Sequence, residues 1–171
     1  MTKKITGILM AIVFFVACNN NDNDNTSLNG SDEQFLLQAS YLNHDETFTG
    51  HAAAVHGSAD SVRLFGQMMV TDHTTAQASL DSLGGQFNIQ LPQSADSAHG
   101  VFLLQLQSLS GYAFDTTYMG AQVRDHQLAV TVFQNEISNG NNQQTKNYAV
   151  KNLPVIQEHL QMAQSILSGL H

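Results

Sequence analysis

The feature that most constrains the fold is a spacing of apolar and small residues that alternates between four and three along most of the chain. Residues recurring in this way lie on one face of an α-helix. The four stripes with this spacing run from Phe35 to His56, from Val62 to Leu83, from Asp115 to Ile137 and from Ile156 to Leu170. The pattern predicts an all-α fold in which four long amphipathic helices form a four-helix bundle.

Local signals predict the start of the first helix and the end of the second. Ser31 and Gln34 have the spacing of a capping box at the start of the first helix. Gly84-Gly85 is expected to end the second helix, because glycine favours the C-terminal position. Residues 86–95 then form a long connection between helices 2 and 3, which is long enough for a crossover along the whole bundle.

Two other boundaries stay open at the level of sequence. Residues 101–109 resume a helical pattern, and Ser110-Gly111 either kinks that helix or divides it in two. Pro154 either kinks the last helix or begins its second half, because proline removes a helical hydrogen bond.

The first 30 residues predict export and anchoring. Residues 1–17 have a basic start and a short apolar run, the pattern of a signal peptide. The next residue, Cys18, stands as the lipidated cysteine does in the lipobox of bacterial lipoproteins; alternatively it is only the last residue of an ordinary signal. The Asn-rich residues 18–30 predict a flexible tether, which leaves 31–171 for the bundle.

Charge and cysteine content exclude several kinds of partner and site. The chain has six Lys and Arg against fourteen Asp and Glu, for a net charge of -8. Nucleic-acid binding is not expected, because six cationic residues are too few to neutralise a row of phosphates. The expected partner is the membrane, which the chain would reach through a lipidated Cys18. The protein is expected on the periplasmic side or at the outer membrane. A single cysteine also excludes a disulfide within the chain and a Cys-based metal cluster.

The anomaly in the pattern is that the middle of each apolar stripe carries a titratable group: Glu46, His73, His126 and His159. Such groups are costly to bury unless they are hydrogen-bonded, paired or bound to a metal. One carboxylate and three imidazoles from four helices could hold a single transition-metal ion such as Zn, Cu, Fe, Mn or Ni. A metal-free network, in which Glu46 pairs with an imidazole, accounts for the same residues equally well.

Neighbouring residues extend this hypothesis. Asp72, Asp115 and Asp125 are close enough in sequence to the histidines for any of them to orient a ring. The remaining histidines are expected to be ordinary residues: His44, His51, His56, His99 and His171. No sequence motif for a reaction is present, so no catalytic residue is predicted.

Several short motifs together resemble a bacterial family, the domain of unknown function numbered 4142, over about residues 32–167. They are Glu46 with Gly50, Met69-Val70-x-Asp72-His73, Leu91-Pro92, Leu109-Ser110-Gly111-x-x-Phe114-Asp115-x-x-Tyr118, Asp125-His126 and Leu153-Pro154-x-x-x-x-His159-Leu160. The resemblance implies a ferritin-like helical bundle that is exported to the periplasm or the outer membrane.

A ferritin-like backbone does not bring a di-iron centre with it here. Such centres need Glu-x-x-His on two helices, whereas Val70 and Ile156 precede His73 and His159 by three residues. No di-iron centre is therefore expected. Two functions remain open: an envelope lipoprotein that binds a single metal ion, and a metal-free structural or stress-related interaction module.

Overall fold

The computed structural model describes residues 27–171, and over these residues the chain is helical with no β-strand. The helices are α1 (Gly30–His56), α2 (Asp60–Gln86), α3 (Ser97–Gln107), α4 (Gly111–Asn139) and α5 (Gln143–Gly169). Four of them are long, and α3 is a short helix within the connection between α2 and α4. The predicted all-α bundle with a long connection after the second helix is confirmed.

The predictions for the N-terminal segment fall largely outside the described part of the chain. The signal peptide over 1–17, the lipidation of Cys18 and most of the tether over 18–30 lie before residue 27. Within residues 27–171, no helix combines the length and the apolar character that crossing a membrane requires.

The first helix begins at a different cap from the predicted one. Asn29 is the N-cap: its side-chain oxygen accepts hydrogen bonds from the backbone N–H groups of Ser31 and Asp32, and Asp32 accepts in return from the N–H of Asn29 at 2.8 Å. The predicted box of Ser31 and Gln34 is wrong. Asp32 is favoured because its buried carboxylate also accepts from the N–H of Asn141, which ties α1 to the turn before α5.

The two open boundaries have clear outcomes. Ser110-Gly111 divides two helices, and Gly111 has the positive φ of 59° that glycine adopts without strain. Pro154 lies inside α5, which continues as one helix on both sides of it. The carbonyl of Val150 loses its helical partner there, but Val150 is exposed, so water can replace the missing bond.

The long helices associate as the pairs α1 with α2 and α4 with α5, which the contacts of α1 with α4 and of α2 with α5 join into a bundle. Turns of three residues force the helices of each pair to run antiparallel. Two glycines let α1 and α2 cross closely: a Cβ on Gly66 would lie 2.6 Å from the carbonyl oxygen of Gly50 and 2.7 Å from the backbone nitrogen of Ala54.

A polar layer divides the core into two apolar clusters. One cluster includes Phe35, Leu80, Phe133 and Tyr148, and the other includes Phe65, Met69, Phe114 and Tyr118. On every long helix, buried polar residues lie between the residues of these two clusters. The polar layer includes Asn43, Glu46, His73, Gln77, Gln122, His126 and His159. The fold therefore places three of the eight histidines at mid-height in the bundle, away from bulk water.

Candidate metal centre

The polar layer brings three of the four predicted ligands together. His73 on α2, His126 on α4 and His159 on α5 are buried, and one ring nitrogen of each lies within 4.8 Å of one from each of the others. The ring centroids are 5.8, 5.5 and 5.4 Å apart. Three nitrogens this close to one another all lie within about 2.8 Å of a common point. Shifts of the rings by less than about 1 Å would therefore bring the nitrogens to the zinc–imidazole distance of about 2.0–2.1 Å from an ion at that point.

Each of the three rings is held in place through one nitrogen and has the other free. The hydrogen bonds join His73 Nδ1 to Asn43 Oδ1 at 3.1 Å, His126 Nδ1 to the carbonyl oxygen of Gln122 at 2.9 Å, and His159 Nε2 to Asp72 Oδ2 at 3.0 Å. All three partners are acceptors, so the bonded nitrogen carries the proton in each ring. Within the described part of the chain, His73 Nε2, His126 Nε2 and His159 Nδ1 have no hydrogen-bond partner. Metal-binding histidines are oriented in this way by a second group behind the ring.

The acceptor behind His73 is itself fixed by a network. The side-chain amide nitrogen of Asn43 lies within hydrogen-bond reach of Gln77 Oε1 at 3.2 Å and of the Tyr148 hydroxyl at 3.3 Å. Gln77 in turn donates to Ser40 at 2.9 Å. These bonds occupy the donor side of Asn43 and leave its oxygen for His73, so residues of α1, α2 and α5 jointly determine which nitrogen of His73 is free.

The three imidazoles are neutral at neutral pH. Burial, together with the neighbouring His126 and His159, holds the pKa of His73 well below its usual value. Burial and His159 lower the pKa of His126 to about 4, and burial lowers the pKa of His159 despite the opposing effect of Asp72. Neutral imidazole is the form that binds metal. Three buried lone pairs without donors are costly to keep in the core unless a cation lies between them.

Glu46 lies beside this group and not within it. Its Oε2 accepts a hydrogen bond from Gln122 Nε2 at 2.6 Å, and its Oε1 is 3.6 Å from His126 Nδ1, the nitrogen that already donates to the carbonyl of Gln122. Burial raises the pKa of Glu46 to about 8, so the carboxyl retains its proton at neutral pH. The predicted set of four ligands thus becomes a set of three histidines with an uncharged carboxyl next to His126.

Of the three carboxylates predicted to orient a histidine ring, Asp72 contacts a ring and Asp115 contacts backbone N–H groups instead. Asp72 does orient a ring, through its hydrogen bond to His159. Asp115 instead accepts from the backbone N–H groups of Ser58 and Ala59, each at 2.8 Å. The N-cap of α2 is Ala59, which has no side-chain acceptor, so Asp115 satisfies N–H groups that the start of α2 leaves free.

The third carboxylate, Asp125, belongs to a cluster that sequence reasoning missed. Its Oδ2 lies 3.8 Å from Nε2 of His99, whose Nδ1 is 3.0 Å from both Asp45 and Asp96. The cluster joins α1, the start of α3 and α4. His99 has carboxylates at both ring nitrogens, so its ion pairs attach α3 to α1 and α4. The available signal was Asp96, whose spacing of three from His99 is that of an N-cap.

The charge on His99 predicts a pH dependence of stability. Asp125 and Asp45 raise the pKa of His99 to about 11 from an ordinary 6.5. The folded state therefore binds this proton more tightly than the unfolded state, so the stabilisation is complete below about pH 6.5 and is lost as the pH rises towards about 11. Urea unfolding of wild type and His99→Gln should show a difference in unfolding free energy that is largest near pH 6 and shrinks steadily above it.

The exposed His171, which lies after the end of α5, supplies the matched control for that experiment. His171→Gln should follow the wild type at every pH. A His99→Gln deficit that stays constant between about pH 6 and 10 would show that the charge on His99 does not fasten α3.

Two of the three rings can be reached from the surface between α2 and α5. A cleft of about 390 Å³, lined by Met68, Asp72, Lys151 and Met162 among others, includes His159 in its wall. A smaller cavity of about 30 Å³ shares Asp72 and His159 with the cleft and also touches His73. It has room for about one or two water molecules beside the rings of His73 and His159.

Comparison with known proteins gives one family match and one similar solved structure. A family model described as a domain of unknown function, DUF4142, matches residues 18–166. The chain is also similar to the crystal structure of a DUF305 fragment from Deinococcus radiodurans, with a TM-score of 0.74 and 10% identity, over 84% of this chain and 99% of that one. At this identity the similarity shows the fold alone. No curated protein matches the chain.

Proposed function

The chain belongs to the DUF4142 family of domains of unknown function, and from the site itself we propose that it binds one transition-metal ion through His73, His126 and His159. The observation that carries the proposal is the set of three buried ring nitrogens, one from each ring, that have no partner among residues 27–171. Here all three rings are oriented by acceptors, and a metal ion is the partner that satisfies three lone pairs at once.

The donor set limits the chemistry of the ion. Three neutral imidazoles suit Zn, Cu, Fe, Mn or Ni, and three histidines with a position left over is the ligand set of catalytic zinc sites. Three neutral imidazoles bring no negative charge, so they would not offset the positive charge of a divalent ion at the site. The remaining coordination position would be available to water or to a small ligand entering between α2 and α5.

Equilibrium dialysis of protein purified without an affinity tag tests the proposal. With Zn²⁺ in excess, the wild type should retain about one equivalent and His73→Ala less than about 0.1 equivalent, because two ligands hold zinc far more weakly than three. His51→Ala removes an exposed histidine on α1 and is the control; it should retain as much zinc as the wild type. Equal retention by all three proteins would mean that the zinc lies elsewhere.

A metal-free polar network is the competing account, and the short hydrogen bond from Gln122 to Glu46 is the observation in its favour. In that account the layer would serve a structural or stress-related interaction module. It differs in one measurable respect: a strong chelator would then leave the stability of metal-exposed wild type unchanged, since no ligand binds the folded state.

Location forms a second part of the proposal. The sequence up to Cys18 supports a lipoprotein that is anchored in the bacterial envelope through this cysteine, with the bundle on the periplasmic or outer-membrane side and with no nucleic-acid partner. In bacteria expressing the full chain, the wild type should partition into the detergent phase. Cys18→Ser should not, because the chain has no second thiol to accept the lipid. Wild type recovered wholly in the aqueous phase would contradict the anchoring.

A further inference from the structure

The outward side of α1 carries a narrow stripe of apolar and imidazole side chains, called here the α1 stripe. Its members are Leu37, Tyr41, His44, Phe48, His51 and Val55. His44 is half-buried, and its Nε2 lies 3.1 Å from the carbonyl oxygen of Pro92 at one edge of the stripe. The four apolar members are 37%, 41%, 44% and 60% exposed, in chain order. Their spacing of four, three, four, three and four places all six within about 40° of one line along the helix, given 100° per residue.

The surroundings of the α1 stripe are unusual for a helix that faces water. The solvent side of such a helix normally carries charged residues. Between Gln34 and His56, however, every residue of α1 that is not buried is uncharged, and the two carboxylates in this range, Asp45 and Glu46, are buried. The other large exposed apolar residues of α2 and α4, such as Leu64 and Leu128, do not form a comparable row.

We propose that the α1 stripe is an interface with a second copy of this chain, in which the two α1 helices pack antiparallel about a two-fold axis. A two-fold axis pairs each surface with itself, so the pattern must read the same in both directions. The spacing of the stripe does. Leu37 would face Val55 of the second copy, Tyr41 would face His51, and His44 would face Phe48. Each pair joins an aliphatic residue to an aliphatic one or an aromatic ring to an imidazole.

Charge favours a second copy at this face over other faces of the bundle. Two chains that each carry a net charge of -8 repel one another. A strip without formal charge is where two such chains can approach with the least cost. The alternation of three and four is also the spacing by which two helices interlock along a seam, so the partner that fits is a helix with the same spacing.

The size of the stripe predicts a dimer of moderate strength. It extends over about 27 Å of helix at about 1.5 Å per residue. Two such stripes packed against each other would bury on the order of 1,000 Å² in total. This is the lower end of the range for specific interfaces, so the dimer should form reversibly and depend on concentration.

Sedimentation velocity of the full chain carrying Cys18→Ser, over a hundredfold range of concentration, tests association. The sedimentation coefficient should rise with concentration towards that of a dimer. Val55→Glu, at a residue 60% exposed in the single chain, should abolish the rise, because each new carboxylate would lose water against the aliphatic Leu37 of the opposite copy and gain no partner there. Leu128→Glu, at a residue 56% exposed on α4, is the control and should dimerise as before. A monomer at every concentration overturns the proposal.

Cysteine cross-linking tests the direction of packing in the same Cys18→Ser chain. The double variant Leu37→Cys with Val55→Cys should form a disulfide-linked dimer on mild oxidation. Neither single variant should, because identical positions would lie about 27 Å apart, beyond the reach of a disulfide. Cross-linking of a single variant would mean parallel packing and would overturn the antiparallel arrangement. Leu64→Cys with Leu128→Cys controls for random collision and should stay monomeric.

Discussion

Replacing His126 with alanine should lower the unfolding temperature of the metal-loaded protein by about 10 °C or more. Ligand binding at 100 to 1,000 times the Kd stabilises the folded state by about 3 to 4 kcal/mol. A domain of this size loses about 2–4 °C per kcal/mol. The substitution removes one of three metal ligands and therefore most of this stabilisation, and it also takes away the hydrogen bond that the ring donates to the carbonyl of Gln122.

A chelator separates the loss of metal from the loss of packing. Thermal unfolding of wild type and His126→Ala would be followed with and without a strong chelator, after both have been exposed to metal. The chelator should lower the transition of the wild type towards that of its apo form and should leave His126→Ala unchanged. If the four curves show only an effect of the substitution, of about 1–3 kcal/mol, the histidines form a metal-free network.

Replacing Gly66 with alanine should cost about 3 kcal/mol of folding free energy, at the upper end of the usual cost of overpacking. The new Cβ would lie 2.6 Å from the carbonyl oxygen of Gly50 and 2.7 Å from the backbone nitrogen of Ala54. Neither atom belongs to a side chain that could rotate away, so α1 and α2 must move apart. The midpoint of urea unfolding measures the loss.

Gly120 in the middle of α4 is the matched control for that substitution. A Cβ there meets only the end of the Arg124 side chain, at 3.8 Å. Gly120→Ala should therefore raise the unfolding free energy by about 0.4–1 kcal/mol, because alanine restricts the unfolded chain and favours the helix. Equal effects of the two substitutions would contradict the close crossing of α1 with α2.

The spacing of residues predicted the helices and the three histidines for the same physical reason. A residue on the apolar stripe of a long helix must face the core, and a four-helix bundle has a single core for His73, His126 and His159 to share. Glu46 lies on its stripe as well, but its helix position puts the carboxyl beside His126 Nδ1 rather than at the free nitrogens. Stripe membership predicts burial, not which side of a neighbouring ring a side chain reaches.

The features that sequence reasoning missed depend on contacts between distant segments. His99 lies on a helix of 11 residues with no strong periodicity, and its role follows from Asp45 and Asp125, which only the fold brings to it. Asp115 shares a stripe with His126, yet the turn between α1 and α2 captures its carboxylate. Capping groups and ion pairs of this kind join elements far apart in the chain, where spacing carries no signal.

X-ray absorption at the zinc edge of the zinc-loaded full chain tests the central claim most directly. The three-histidine site predicts three imidazole nitrogens at about 2.0–2.1 Å, with one further light ligand, and a spectrum that changes to fewer imidazoles in His159→Ala. Zinc surrounded only by oxygen, or a spectrum that His159→Ala leaves unaltered, would contradict the assignment of His73, His126 and His159 as the metal ligands.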